Sequence, residues 1–338
     1  MEKEIKENKE IKNNNKFEAE VKEASDKIVE LKNEVHKKIV WQDFLIESLV
    51  IAILSEGHVL LEWVPWLAKT LTVDTLSKAL ELWFNRIQFT PDLLPSDLIW
   101  TEIYNQKTWE FDIKKGPIFN NFILADEINR APSKVQSALL EAMAEGHITI
   151  AKNTFELEKP FIVLATQNPV EQVWTYKLPE AWLDRFMLKV DVDYPTKQEE
   201  KEVYKKITSD EKVKINKIFT KKDIFKLQKL VKDIYVSENI YDYVSDIIDA
   251  SRNPKDYDLS WIEKYIDFWI SPRWWISLIN AAKANALIEN RTFIIPEDIK
   301  KMAKMALAHR LVLSYEAVAM DITSSQIIDN ILQNVKVK

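Results

Sequence analysis

The sequence predicts an α/β fold with a largely parallel sheet flanked by helices, followed by an all-α domain. From residue 43 to about residue 195, short apolar runs alternate with segments of helical spacing, as in a parallel sheet covered by helices. From about residue 197 the apolar spacing is helical, without strands. Pro195 and Thr196 mark the change, because proline ends one element and threonine caps the next helix. We therefore expect a charged, partly helical extension over residues 1–35, an α/β core over residues 36–196 and an all-α domain over residues 197–338.

The N-terminal extension changes character after residue 16. Residues 1–16 are rich in Lys, Glu and Asn, so we expect them to be disordered or a frayed helix. Residues 17–40 carry apolar side chains at helical spacing, which predicts an amphipathic helix.

The α/β core is expected to contain five central strands, one long helix and two insertions. The strands are His58–Glu62, Asn85–Phe89, Phe122–Asp126, Phe161–Thr166 and Met187–Val192. Ser133–Glu145 has its apolar residues on one helical face. Two hairpin-like insertions are expected at Ile103–Ile118 and His147–Leu157, and a last helical block at Ile276–Leu313.

Composition excludes several classes of function. A net charge of −6 and a pI near 5.5 give no overall attraction to nucleic acid or acidic membranes. The chain has no cysteine, which excludes disulfides, thiolate metal sites and a cysteine nucleophile. The apolar run Leu49–Leu54 is far too short to span a bilayer, and the N-terminus lacks the order of a secretory signal. We therefore expect a cytoplasmic protein without a membrane span.

A phosphate-binding loop is indicated directly after the first predicted strand. An apolar strand, a tight loop, the pair Lys69-Thr70 and a helix follow one another, which is the layout that holds nucleotide phosphates on backbone N–H groups and a helix N-terminus. The candidate nucleotide-binding residues here are Trp63, Val64, Pro65, Trp66, Leu67, Ala68, Lys69 and Thr70.

Tryptophan stands in this loop where glycine is normally needed. Glycine permits the positive φ and the close backbone approach of such a cradle, and Trp63 and Trp66 do not. The chain has 3 Gly and 12 Trp, whereas average usage of about 7% would give roughly two dozen Gly. We hypothesise that many of these tryptophans are glycine codons decoded wrongly, since some bacterial lineages read UGA as glycine. A tryptophan-rich core is the alternative, although the adjacent pair Trp274-Trp275 fits it poorly.

Two acids end a central predicted strand. Asp126 and Glu127 follow the apolar run Phe122–Ala125, so the first can hold Mg²⁺ and the second can polarise a water molecule beside bound phosphate. An acidic pair that merely ends a strand is the alternative, and the combination with Lys69-Thr70 argues against it. At the end of the next predicted strand, an amide such as that of Asn168 is placed to orient the attacking water.

Several longer motifs occur in one order along the chain. They are Phe89–Leu98, Leu124–Pro132, Ala165–Gln172, Leu178–Ala181, Leu183–Phe186 and Ser271–Arg273. Together with the phosphate loop they resemble the AAA+ P-loop NTPases, specifically the MoxR group, over roughly residues 36–335. The resemblance implies an AAA+ core followed by a helical lid domain.

The resemblance implies roles for five residues around the phosphates. Lys69 would contact the β- and γ-phosphates of ATP, and Thr70 and Asp126 would hold Mg²⁺. Glu127 would act as general base and Asn168 would sense the γ-phosphate.

The resemblance also implies two arginines and an adenine pocket. Arg185 looks like an arginine finger that reaches a neighbouring subunit, and Arg273 looks like a second sensor on the lid. Val40, Trp41 and Gln42 match the segment that lines the adenine pocket.

The implied activity is ATP hydrolysis that drives chaperone-like remodelling or maturation of partner proteins, including metal-cofactor insertion. The implied partners are further copies of the chain in a hexameric ring, a von Willebrand factor A domain protein and an unidentified client. The family has glycine at the positions of Trp41, Trp63, Trp66, Trp100, Trp174 and Trp269. If Trp63 and Trp66 are real, a non-hydrolysing scaffold of the same fold is the alternative. The ATPase subunit of a chelatase and a helicase motor are further alternatives, although Gly146–Lys159 has only two lysines to contact a nucleic acid.

Overall fold

A computed structural model describes residues 2–63, 69–105, 110–150, 153–167, 178–192, 196–208, 213–269 and 274–337. The chain divides into two compact units, residues 32–225 and residues 1–31 with 226–338. These units differ from the expected domains in that residues 197–225 group with the sheet and residues 1–31 with the C-terminal helices. The domain bounds expected from the sequence stay a prediction.

Thirteen α-helices occur in the described parts of the chain. They are α1 Glu2–His36, α2 Asp43–Leu54, α3 Lys69–Ala79, α4 Pro95–Ile99, α5 Ser133–Glu145, α6 Glu180–Leu183, α7 Lys197–Thr208, α8 Lys221–Asp233, α9 Glu238–Arg252, α10 Trp274–Ile288, α11 Pro296–Leu307, α12 Tyr315–Ala319 and α13 Ser324–Asn334.

The same described residues form eleven strands. They are β1 Val59–Trp63, β2 Phe84–Gln88, β3 Trp100–Asn105, β4 Glu110–Lys115, β5 Phe122–Asp126, β6 His147–Ile150, β7 Asn153–Glu156, β8 Ile162–Gln167, β9 Leu188–Val192, β10 Ile266–Trp269 and β11 Leu311–Leu313.

A five-stranded parallel sheet organises the unit of residues 32–225. Its strand order is β2-β5-β8-β1-β9, and each neighbouring pair runs parallel. Every residue of β5 is buried, as is β8 up to Thr166, because a parallel sheet covered by helices on its faces needs apolar side chains in both directions. Since the strands are parallel, their carboxyl ends meet at one edge of the sheet.

The structure confirms the predicted α/β core. Each of the five predicted strands is present with both ends within one residue, and α5 has the predicted bounds. Both predicted insertions are antiparallel hairpins, β3–β4 and β6–β7. Gly146 ends α5 with a φ of 66°, a left-handed conformation that glycine adopts without steric cost. No tryptophan in the described residues has a positive φ, so the decoding hypothesis depends on the motifs and not on these backbones.

The C-terminal helices confirm a helical lid, with one correction. Residues 266–269 and 311–313 pair as a small antiparallel sheet, so the expectation of a region without strands was wrong. Leu311–Leu313, expected in a helical block, instead forms β11, which follows the end of α11 at Leu307 and pairs with β10. Within this unit, Arg291 binds the buried Asp298 with both terminal nitrogens, each at 2.6 Å.

The N-terminal region is one continuous helix from Glu2 to His36, although the sequence predicts disorder or a frayed helix over residues 1–16. Lys and Glu have high helix propensity, which favours this extension. In the second half of this helix, the Ser25 hydroxyl donates to the carbonyl oxygen of Ile288 at 2.8 Å, which joins the helix to the end of α10. None of the described helices is long and apolar enough to cross a membrane.

A buried histidine lies just before β1. The Val163 N–H donates to Nδ1 of His58 at 3.1 Å, so Nε2 carries the proton and donates to the Met143 carbonyl at 3.2 Å. Burial lowers the pKa of His58 to about 4, although the bond to Met143 acts in the opposite direction.

We therefore predict that His58 makes stability depend on pH. Between pH 6.5 and 4 the unfolded chain binds a proton at His58 and the folded chain does not, so the free energy of unfolding decreases as pH falls. The expected contribution is a loss of about 2 kcal/mol between pH 7 and pH 5. Urea unfolding at both pH values should show a smaller loss in His58→Gln than in the parent. Equal losses of stability in the two proteins would contradict the assignment of this pH dependence to His58.

Candidate nucleotide-binding site

The candidate site lies where the central strands end. Asp126 is the last residue of β5, Gln167 the last of β8 and Gln88 the last of β2. Lys69 and Thr70 form the first turn of α3. The carboxyl edge of a parallel sheet is where open α/β folds bind ligands, and a helix N-terminus favours anions there.

Asp126 is the centre of the site. Its side chain is 2% exposed, and Oδ1 accepts hydrogen bonds from the Lys69 ammonium group and from the Thr166 hydroxyl, the latter at 2.7 Å. Oδ2 accepts from Nε of Arg86 at 3.1 Å and from Nη2 at 2.5 Å. Burial acts to raise the pKa of Asp126, but the bonds from Lys69, Thr166 and Arg86 outweigh it and lower the pKa. Asp126 is therefore a carboxylate at neutral pH.

Glu127 is held beside it by backbone and side-chain contacts. Its N–H donates to the Thr166 hydroxyl at 2.9 Å, so that one hydroxyl contacts both acids. Oε2 accepts from Nε2 of Gln88 at 2.8 Å and lies 3.2 Å from Nε of Arg130. The side chain is 25% exposed, so water can reach the carboxylate.

Two residues of β2 belong to the site although the motifs of the sequence did not single them out. The parallel register sets Gln88 opposite Asp126, and Arg86 donates from Nη2 to Oε1 of Gln88 at 3.0 Å. Both residues are exposed and flank the buried Ile87. That alternation of polar and apolar residues, on a strand beside the acidic one, was the available signal. Thr166, which the sequence shows only as part of a longer motif, is the third such residue.

The predicted adenine segment lies between α1 and α2. Trp41 and Gln42 are buried, and Val40 is partly exposed. Oε1 of Gln42 accepts from the Thr72 hydroxyl of α3 at 2.5 Å, which ties this segment to the helix that begins with Lys69. Among the described residues, the buried Nε2 of Gln42 has no hydrogen-bond partner, so a donor is available for a ligand.

The remaining predicted residues are placed only in part. Trp63 ends β1, and Arg185 is exposed just after α6. The loop residues Val64, Pro65, Trp66, Leu67 and Ala68 lie outside the described residues, as do Asn168 and Arg273.

The side chains at this site that could ligate a metal fit an ion that binds together with phosphate. The described residues contain no group of three or more acids, histidines or cysteines that could hold a metal. Mg²⁺ is usually held by one or two carboxylates together with substrate phosphates and water. Asp126, with a hydroxyl from Thr70, matches that requirement and would hold the ion only in combination with a nucleotide.

Comparisons with known proteins agree with this geometry. A model of the ATPase family associated with various cellular activities (AAA) matches residues 58–188, and a model of the AAA lid domain matches residues 259–331. The first range contains Lys69, Asp126 and Glu127. Fold and site together therefore define an AAA ATPase core with its lid.

Relatives that match most of the chain identify the family more specifically. Chaperone MoxR1 of Mycobacterium tuberculosis is 44% identical over 89% of this chain and 80% of its own length. The uncharacterized protein YeaC of Bacillus subtilis is 43% identical over 88% of this chain and 90% of its own length. A solved structure of a candidate ATPase from Cytophaga hutchinsonii is 46% identical, with a TM-score of 0.90, over 97% of this chain and 99% of that one. The chain belongs to the MoxR family of AAA+ ATPases.

The shared hydroxyl of Thr166 gives a testable prediction for the site's stability. Thr166→Val keeps the shape of the side chain but removes a donor from Asp126 and an acceptor from the Glu127 N–H. Because Asp126 is buried and Glu127 is partly buried, we expect the free energy of unfolding to fall by about 1–3 kcal/mol. Thr154→Val, on the exposed hairpin, is the matched control and should change it by less than about 0.5 kcal/mol. Urea unfolding that finds the two variants equally stable would refute the assigned bonds.

Proposed function

We propose that this protein hydrolyses ATP and uses the energy for chaperone-like remodelling or maturation of partner proteins. The observation that supports this best is the hydrogen-bonded network of Lys69, Asp126, Thr166 and Glu127 at the carboxyl edge of the sheet. A cation, a buried carboxylate and a partly exposed second acid are the groups that phosphoryl transfer to water requires.

The residues of the network would act in order. Lys69 would leave Asp126 for the β- and γ-phosphates, and the freed oxygen of Asp126 would become a metal ligand together with Thr70. Bound Mg²⁺ would supply charge neutralisation at the phosphate oxygens. Glu127 would take a proton from the attacking water, with its backbone fixed by Thr166 while the carboxylate stays accessible to solvent.

We assign the other predicted residues to nucleotide recognition. Asn168 would sense the γ-phosphate and Arg273 would contact it from the lid. The loop Trp63–Ala68 would surround the phosphates, and Val40–Gln42 would line the adenine pocket, with Nε2 of Gln42 as a donor.

The assembly and its surroundings are proposals of the same kind. Arg185 is exposed, as a finger acting on a neighbouring subunit must be, which supports a ring of copies, six by family resemblance. A von Willebrand factor A domain protein and an unidentified client, with or without metal insertion, are the proposed partners. The similarity to a chaperone and the absence of cysteine support a cytoplasmic remodeller.

The tryptophans of the phosphate loop decide between two functions. Glycine at positions 63 and 66 leaves room for a triphosphate, and we propose that the native protein has glycine there. Indole rings at these positions would fill the cradle, and the protein would then be a scaffold of the same fold. The retention of Lys69, Asp126 and Glu127 as one connected network favours the ATPase.

We predict that Glu127→Gln binds Mg-ATP but loses hydrolysis by at least about 100-fold, because the general base is removed and the cations remain. The intact mass of the native protein is measured first, because a mass that matches twelve tryptophans would contradict the decoding hypothesis. Calorimetry and phosphate release are then measured on the protein with glycine at positions 63 and 66. Glu145→Gln, an exposed residue at the end of α5, is the control and should keep the parental rate. Parental hydrolysis by Glu127→Gln would exclude Glu127 as the base.

We also predict that two inactive variants complement each other. Arg185→Ala subunits retain Glu127, and Glu127→Gln subunits retain Arg185. If Arg185 acts on a neighbour, mixed rings contain some sites with both residues, and part of the hydrolysis returns. Phosphate release from the mixture, compared with each variant alone, measures this. Background activity at every mixing ratio would show that Arg185 does not act between subunits.

A further inference from the structure

Arg86 contacts the carboxylate of Asp126 through a different oxygen from the one that Lys69 contacts. Its two hydrogen bonds to Asp126 go to Oδ2, whereas Lys69 and Thr166 donate to Oδ1. Its side chain is 46% exposed, and the side chain of Asp126 is 2% exposed. Arg86 is therefore a solvent-facing cation that reaches inward to a buried anion.

We propose that Arg86 makes metal binding at Asp126 depend on the nucleotide, by keeping divalent ions out of the empty site. This inference rests on the proposed function, because it takes Asp126 as the metal ligand. Arg86 would be a positioning residue that sets the metal requirement and contacts neither the phosphates nor the attacking water.

The first argument is the occupancy of the carboxylate. A carboxylate offers about four acceptor positions. Asp126 has four donor contacts, two on each oxygen, so none remains for a metal or for a metal-bound water. One donor has to leave before an ion can bind.

The second argument is the balance of charge. Three cationic side chains, Lys69, Arg86 and Arg130, lie within ion-pair distance of the two acids, so the cluster carries a net positive charge. A free divalent cation is repelled by such a cluster. The described residues also provide no further acid to complete a coordination shell there.

The third argument concerns which donor leaves. Phosphate oxygens of a bound nucleotide compete with Asp126 for Lys69. When Lys69 moves to the phosphates, Oδ1 of Asp126 loses one donor, and the phosphates supply both negative charge and further metal ligands. Arg86 is on the other oxygen, and nothing in that event displaces it. The carboxylate therefore keeps one cation throughout, and a metal ion is accepted only together with phosphate.

A purely structural role for Arg86 predicts something different. As a mere counter-ion of a buried acid, Arg86 would contribute to folding stability, and its removal would leave the metal affinity of the empty site unchanged or lower it. Under the proposed role, its removal raises that affinity, since Coulomb repulsion of a divalent ion by a unit charge a few ångströms away amounts to about tenfold even at the dielectric constant of water.

The test is a titration of the nucleotide-free protein with Mn²⁺, with the free ion followed by electron paramagnetic resonance. Arg86→Gln should bind Mn²⁺ at least about tenfold more tightly than the parent. Arg86→Lys keeps the charge and should resemble the parent. The double variant Arg86→Gln/Asp126→Asn should lose the gain, which would locate the ion at Asp126. Lys217→Gln, which removes an equal charge at the exposed pair with Glu81, is the matched control.

Equal Mn²⁺ binding by the parent, Arg86→Gln and Arg86→Lys, including no detectable binding by any of them, would overturn the proposal. A gain that persists in the double variant would overturn it as well, because the ion would then lie elsewhere. Thermal unfolding of each variant checks that it is folded. Since no nucleotide is present, the result stands apart from hydrolysis: an inactive ATPase could still show the gain, and an active one could lack it.

Discussion

The structure of the site depends on one buried carboxylate. Asp126 ends a strand whose side chains are all buried, and an isolated charge in that position would be strongly unfavourable. It is tolerated because three different elements supply donors: Lys69 from α3, Arg86 from β2 and Thr166 from β8. The need to neutralise this one group thus fixes the first turn of α3 and the ends of two neighbouring strands with respect to each other. The geometry of the candidate site follows from that neutralisation.

The parallel register transmits this constraint to Glu127. Residues at the same height on β2 and β5 are paired, so a donor at position 88 lies beside the acids without any loop to position it. Gln88 and Thr166 then contact Glu127 from two sides. A rigid sheet edge positions functional side chains more precisely than a loop can, because its hydrogen-bond ladder fixes the backbone on both sides.

Much of this was predictable from the sequence, and the failures have physical causes. Strands buried on both faces give continuous apolar runs, so Phe122–Asp126 could be recognised directly, and α5 has a clear apolar face. Arg86 and Gln88 were missed because a strand with alternating polar residues gives no sign of which neighbour it will pair with. The β10–β11 pair was missed because its two short segments are more than 40 residues apart and are joined by long-range pairing alone. The roles predicted for the site residues stay predictions, and Asn168, Arg273 and residues 64–68 of the phosphate loop lie outside the described residues.

The backbone of Glu127 has a consequence of a different kind. Its φ of 57° and ψ of 50° are left-handed, a conformation that costs an L-residue other than glycine, asparagine or aspartate about 1 kcal/mol or more. The residue that would serve as base is thus held at a place where its own backbone opposes folding. Selection for stability alone would favour glycine or asparagine here and would remove the proposed base. A lineage that lost the need for this carboxylate should therefore drift at this position toward a more stable protein.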